Sequence, residues 1–133
     1  MISITIFEKP IPLQRARSGK SGFYDPQFIA KKNFAHCVKE QFKQESFNSQ
    51  IKLELEFIFE MPVSWSKKKK IEYIGSYHKQ TPDTSNLIKF VEDALLGVTW
   101  KDDCIISILA AKKTWGTFSQ TKIIIHSLNQ KEN

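Results

Sequence analysis

Pro82-Asp83-Thr84-Ser85-Asn86-Leu87-Ile88-Lys89-Phe90-Val91-Glu92-Asp93-Ala94-Leu95-Leu96-Gly97, followed closely by Trp100-Lys101-Asp102-Asp103, is the stretch on which the fold and chemistry of this chain turn. It reads as an amphipathic helix punctuated at both ends. Pro82 has no backbone N–H, Asp83 or Thr84 suits an N-cap, and Gly97 marks the end. At about 100° per residue, Leu87, Phe90, Val91, Ala94 and Leu95 share a side expected to be buried. Ser85, Lys89 and Glu92 stack in a polar stripe, with Asp93 beside it and Asp83 at its start. Asp102 and Asp103 end a short turn where the chain enters its next strand.

The flanking sequence predicts strands. Ile51, Leu53, Leu55, Phe57 and Phe59 alternate with Lys52, Glu54, Glu56 and Ile58, as in a long half-exposed strand. Residues 104–111 and 121–125 predict two more, joined by Trp115-Gly116-Thr117. Near the amino terminus, Ile2, Ile4 and Ile6 share one face of a strand. Residues 8–25, with Pro10, Pro12, Gly19 and Gly22, read as a loop. From Pro26, at an expected first helical position, Ile29, Phe34, Val38 and Phe42 predict a helix ending near Glu45 or Ser46. Ser64 or Ser66 suits the cap of a short helix carrying Lys67, Lys68, Lys69 and Lys70. The order β-α-β-(α)-α-β-β does not alternate regularly. The expectation is an α+β fold, a single domain over residues 1–133 with helices packed on a small mixed sheet and a frayed tail at 129–133.

Composition bounds the partners. A chain of 133 residues with 41% hydrophobic content can build a core, which excludes a disordered polyelectrolyte. Its net charge is +6, yet four of its five aspartates crowd between Asp83 and Asp103. Carboxylates held close together repel unless a cation neutralises them, and hard oxygen ligands suit Mg²⁺ or Mn²⁺. A basic surface around such a site suits a polyanion. Each piece also has a plain structural reading: Asp83 as an N-cap, Lys89 with Asp93 as a helix pair, Asp102-Asp103 as turn residues. Cys37 and Cys104 read as small buried hydrophobes, and His36, His78 and His126 are too scattered for zinc. No stretch approaches the roughly 20 apolar residues of a membrane span, so a cytoplasmic protein without a membrane partner is expected.

The literal string resembles the RusA family of Holliday-junction resolvases, small phage- and prophage-derived endodeoxyribonucleases. The family pattern is approximately Lys-Pro-Asp-x-Asp-Asn-Leu-x-Lys, then Asp-Ala-Leu, a turn, and Asp-Asp. Here it reads Thr81-Pro82-Asp83-Thr84-Ser85-Asn86-Leu87-Ile88-Lys89, then Asp93-Ala94-Leu95, then Asp102-Asp103. Weaker matches are the loop from Pro10 to Pro26, the Ser64-Trp65-Ser66 segment with its lysines, and His78. The resemblance implies a homodimer that cuts four-way DNA junctions symmetrically with Mg²⁺ or Mn²⁺ and no small-molecule cofactor. It implies Asp83 and Asp103 as metal-binding carboxylates, Lys89 as the essential lysine, and Asp102 as an acidic neighbour.

One position departs from the pattern: Ser85 stands where the family has its second aspartate. A hydroxyl can ligate Mg²⁺ weakly but carries no charge. Glu92 is displaced from Ser85 by roughly 10 Å along the helix axis, which makes Asp102 the nearer substitute. Two readings follow, an active junction nuclease with an altered metal shell and a junction-binding protein that has lost hydrolysis. Arg15, Arg17, Lys20 and the run Lys67 to Lys70 are the expected phosphate contacts. Trp65, Trp100, Trp115 and Phe23 are candidates for stacking on unpaired bases, against core or turn packing.

Overall fold

The computed structural model describes residues 1–15, 17–19 and 22–128. They run in the order β1 (Ile2–Ile6), β2 (Arg17–Gly19), β3 (Gly22–Tyr24), α1 (Phe28–Gln41), β4 (Ile51–Glu60), α2 (Lys67–Tyr73), α3 (Thr84–Leu95), a 3₁₀ turn (Asp103–Ile105), β5 (Ile106–Gly116) and β6 (Gln120–Ser127). The main sheet has the order β1-β6-β4-β5. β6 is antiparallel to both β1 and β4, whereas β4 and β5 are parallel. The fold is therefore α+β with a mixed sheet, as the sequence order suggests.

Alternation explains the core. Leu53, Leu55, Phe57 and Phe59 of β4 are buried together with Ile4, Ile6, Ile123 and Ile125 of its neighbours. Phe34 and Val38 of α1 and all five expected apolar residues of α3 join the same cluster. Phe34 meets Phe90 edge to face at 5.6 Å, tying the two helices together. Each fully buried side chain of this size contributes roughly 1.5–3 kcal/mol, so α3 is held by its apolar face rather than by its ends. Across the other face of the sheet, Glu54 pairs with His126 at 2.6 Å, and Thr114 donates to Glu56 at 2.9 Å.

A parallel pair needs a crossover, and residues 61–105 supply it, carrying α2 and α3 between β4 and β5. The outer edge of β1 is closed by a side chain. Gln41, the last residue of α1, accepts from Thr5 N at 3.1 Å and donates to Thr5 O at 2.8 Å.

Several boundaries differ from expectation. The segment 8–25 is not all loop: β2 and β3 form a short hairpin. α1 starts after Pro26, because Gln27 turns inward, donating to Pro12 O at 2.8 Å and accepting from Gln14 N at 2.8 Å. Ile29, expected on the buried side, is thereby left exposed. β5 begins two residues late and runs on to Gly116. Asp102 caps a 3₁₀ turn at its start, and its far end is covered by the Gly75–His78 segment. Cys104 consequently sits exposed in that turn rather than buried, whereas Cys37 packs half-buried against the core. The expected frayed tail lies outside the described residues.

Candidate active site

Asp83 occupies the N-cap of α3 in extended conformation, and its side chain makes no capping hydrogen bond. Its backbone carbonyl starts the helix instead, accepting from Asn86 N at 3.1 Å and Leu87 N at 3.2 Å. The carboxylate is thus delivered by a helix end without being consumed by it. The approach to that position is held from the sheet. Lys113 of β5 donates to Pro82 O at 2.7 Å and also to Gln80 O. Lys113 escapes a sequence reading because its partners are backbone carbonyls.

Ser85 and Lys89 follow on the exposed side of α3. Asp93 does not pair with Lys89. It faces Lys31 of α1 at 3.4 Å, and the same ammonium binds Asp25 at 2.7 Å. Lys31 therefore joins the hairpin base, α1 and α3. Asp25 is held below the ordinary carboxylate range, first by its hydrogen bond from Lys31 and then by that from Gln27 N.

At the other end of α3 the chain returns through Trp100, which is fully buried. Its indole N–H donates to Asp103 Oδ1 at 2.7 Å. Asp102 is employed differently: its Oδ1 accepts from Cys104 N at 3.1 Å as the cap of the 3₁₀ turn. Glu92, on the polar stripe of α3, is half-buried. Burial pushes the Glu92 carboxyl up, and the negative charges of Asp103 and Asp93 push it further, against the opposing charge of Lys89. Helix spacing alone does not show this, because Asp103 lies beyond the turn that follows α3.

Among the described residues, no three His, Cys, Asp or Glu side chains form a group able to hold a metal ion, so Asp83, Asp102 and Asp103 do not gather into one. Magnesium does not require such a cage. It usually retains several waters and takes one or two carboxylates together with substrate phosphate. Asp83, whose side chain makes no capping bond, and Asp103, oriented by the Trp100 indole, are hard-oxygen donors of the kind such a partial shell takes.

The basic segments lie on two separate parts of the chain. The loop carrying Arg15 is pinned to the first turn of α3 by Leu13 N donating to Asn86 O at 2.9 Å. Arg15 is exposed, Lys20 lies outside the described residues, and so does the side chain of Arg17. On α2, Ser66 Oγ accepts from Lys69 N at 3.1 Å, and Lys67, Lys68 and Lys69 are exposed while Lys70 is half-buried. Of the aromatic candidates, Trp100 and Trp115 are core residues, whereas Phe23 is exposed and Trp65 is half-buried.

A protein-family model described as Endodeoxyribonuclease RusA matches residues 8–126. No curated protein matches the chain. The matched span runs from before the hairpin to the last but one residue of β6, and so takes in every residue of the site just described.

Proposed function

This chain belongs to the RusA endodeoxyribonuclease family, and we propose that it resolves four-way DNA junctions by paired, symmetric hydrolysis of phosphodiester bonds. It does so as a homodimer that depends on Mg²⁺ or Mn²⁺, with residues 1–133 acting as one nuclease domain. The observation that carries the reading is Asp83, an N-cap residue whose carboxylate is left uncommitted beside a lysine-bearing polar stripe.

In this reading Asp83 and Asp103 are the anionic ligands, two carboxylates whose shell is completed by waters and substrate phosphate. When bound, the divalent ion supplies charge neutralisation at the phosphate and a more acidic water. Lys89 sets an ammonium toward the phosphate oxygens as their charge grows. Trp100 fixes the carboxylate plane of Asp103. Ser85 contributes at most a neutral oxygen, and Asp102 supports the turn that presents Asp103. Arg15, Arg17, Lys20 and Lys67 to Lys70 contact backbone phosphates and so position the junction without reading its sequence.

The test is incubation of a synthetic four-way junction and a matched linear duplex with Mg²⁺, Mn²⁺ or chelator. Paired symmetric nicks on the junction alone, lost with chelator, are expected. Salt-sensitive junction binding without nicks under either metal would replace this with the second reading. That reading, a junction-binding protein that no longer cuts, draws support from Ser85 at a family aspartate position.

A further inference from the structure

We propose that the cleft between α2 and the Gly75–Gln80 segment binds an unpaired nucleotide of DNA. The cleft measures about 320 Å³ and is lined chiefly by Trp65, Lys69, Tyr73, Tyr77 and Lys79, with Trp115 as its floor. No carboxylate lines it.

Its walls are rings in mutual contact. Trp65 lies 5.4 Å from Tyr73 and 5.0 Å from Trp115 between ring centroids. Tyr77 is different: it is 77% exposed, so packing does not account for its ring. The backbone beneath it is nevertheless fixed. Gly75 N donates to Trp115 O at 2.8 Å, Trp115 N to Ser76 O at 3.0 Å, and His78 N to Lys113 O at 3.0 Å, so this segment runs as a short added strand along β5. An exposed aromatic ring on a fixed strand beside a cleft is a preformed stacking surface.

Charge selects the ligand. The Lys69 ammonium stands 4.4 Å over the Trp65 ring and 5.8 Å from that of Tyr73, and Lys79 is exposed on the rim. Two ammonium groups without a carboxylate disfavour a cationic ligand and favour an anionic one with a flat π face. A nucleotide has both. A phosphate drawing Lys69 toward itself also uncovers the Trp65 face, since an exposed cation–π contact is worth only about 0.5–1 kcal/mol. Bases inside a duplex already stack on one another, so only an unpaired or splayed base offers its face. The cleft shares its Gly75–Gln80 wall with the segment that leads to Asp83. On the junction reading proposed above, on which the biological ligand rests, the occupant is a base unstacked at the crossover.

The experiment uses fluorescence anisotropy of the full chain with a thymidine oligonucleotide and an abasic oligonucleotide of equal charge, with junction cleavage read in parallel. The parent protein should prefer the thymidine strand. Tyr77→Ala should lose about 5- to 100-fold in affinity for it and little for the abasic strand. Tyr77→Phe, which keeps the ring, should bind as the parent does, and Lys79→Gln should weaken both strands alike. Equal parental affinity for the two strands, or unchanged thymidine binding by Tyr77→Ala, overturns the proposal. Junction cutting that persists alongside either result leaves the nuclease reading standing. A thymidine preference without junction binding or cutting would sink the nuclease reading and leave the cleft. Thermal unfolding of each variant confirms that an exposed ring was removed without loss of the fold.

Discussion

Trp100, buried beneath α3, holds Asp103 by a 2.7 Å hydrogen bond from its indole N–H, so a core residue sets the direction of a surface carboxylate. Trp100→Phe keeps an aromatic ring and removes that donor. Stability is expected to fall by about 2 kcal/mol, the usual range for a hydrogen bond to a charged group. Cleavage should fall by about tenfold or more, as for loss of an orienting partner behind a metal ligand. Junction binding should change little. Parallel urea unfolding, cleavage and gel-shift titrations check this, and equal losses in cleavage and binding would remove the orienting role.

Ser85→Asp restores a carboxylate to the stripe. Metal affinity, measured by titration calorimetry, and cleavage rate should both rise. Asp83→Asn and Asp103→Asn should each abolish cleavage while leaving binding intact, because they remove anionic ligands without adding bulk. If Ser85→Asp left both quantities unchanged, Ser85 would not be a weakened ligand position.

Lys113→Met tests the support of the Asp83 segment. It removes two charge-assisted hydrogen bonds to the carbonyls of Gln80 and Pro82 while keeping the apolar stem of the side chain. A loss of about 2 kcal/mol is expected. Limited proteolysis should find new cleavage at residues 79–83, and parental resistance there would show that the segment is held by other contacts.

His78 gives the protein a pH dependence. It is buried between Phe59 and Trp115, with ring centroids 4.7 and 4.1 Å away. Burial is the main cause of its lowered pKa, and the Lys113 ammonium adds to it. The unfolded chain takes up this proton near pH 6.5, the folded chain only at lower pH. In that window the unfolded state binds more protons, so His78 removes stability as pH falls below about 6.5. Melting temperatures between pH 7.5 and 5 should decline more steeply for the parent than for His78→Phe. Parallel slopes would rule out the His78 contribution.

How much was readable beforehand depended on where each residue finds its partners. The buried side of α3 was legible because Leu87, Phe90, Val91, Ala94 and Leu95 keep one period over three turns and all enter the core. The cap serine of α2 was legible for a similarly local reason. The β2–β3 hairpin was hidden by the prolines and glycines around it. Trp100 and Trp115 look alike on paper as stacking candidates, and only the packing shows that both belong to the interior. Glu92 is remote from Ser85 along the helix, and the Asp103 charge that acts on it comes from beyond the turn, which helix spacing does not show.

Adjacent strands β4 and β5 are separated in sequence by residues 61–105, the very span that holds Asp83, Lys89 and Asp103. Closing so long a connection costs chain entropy before the pairing returns any of it, which places this step among the slower ones in folding. A partly formed chain therefore carries these side chains without the sheet that fixes their spacing. The spacing of Asp83, Lys89 and Asp103 is thus a property of the completed fold and of no shorter piece of the chain.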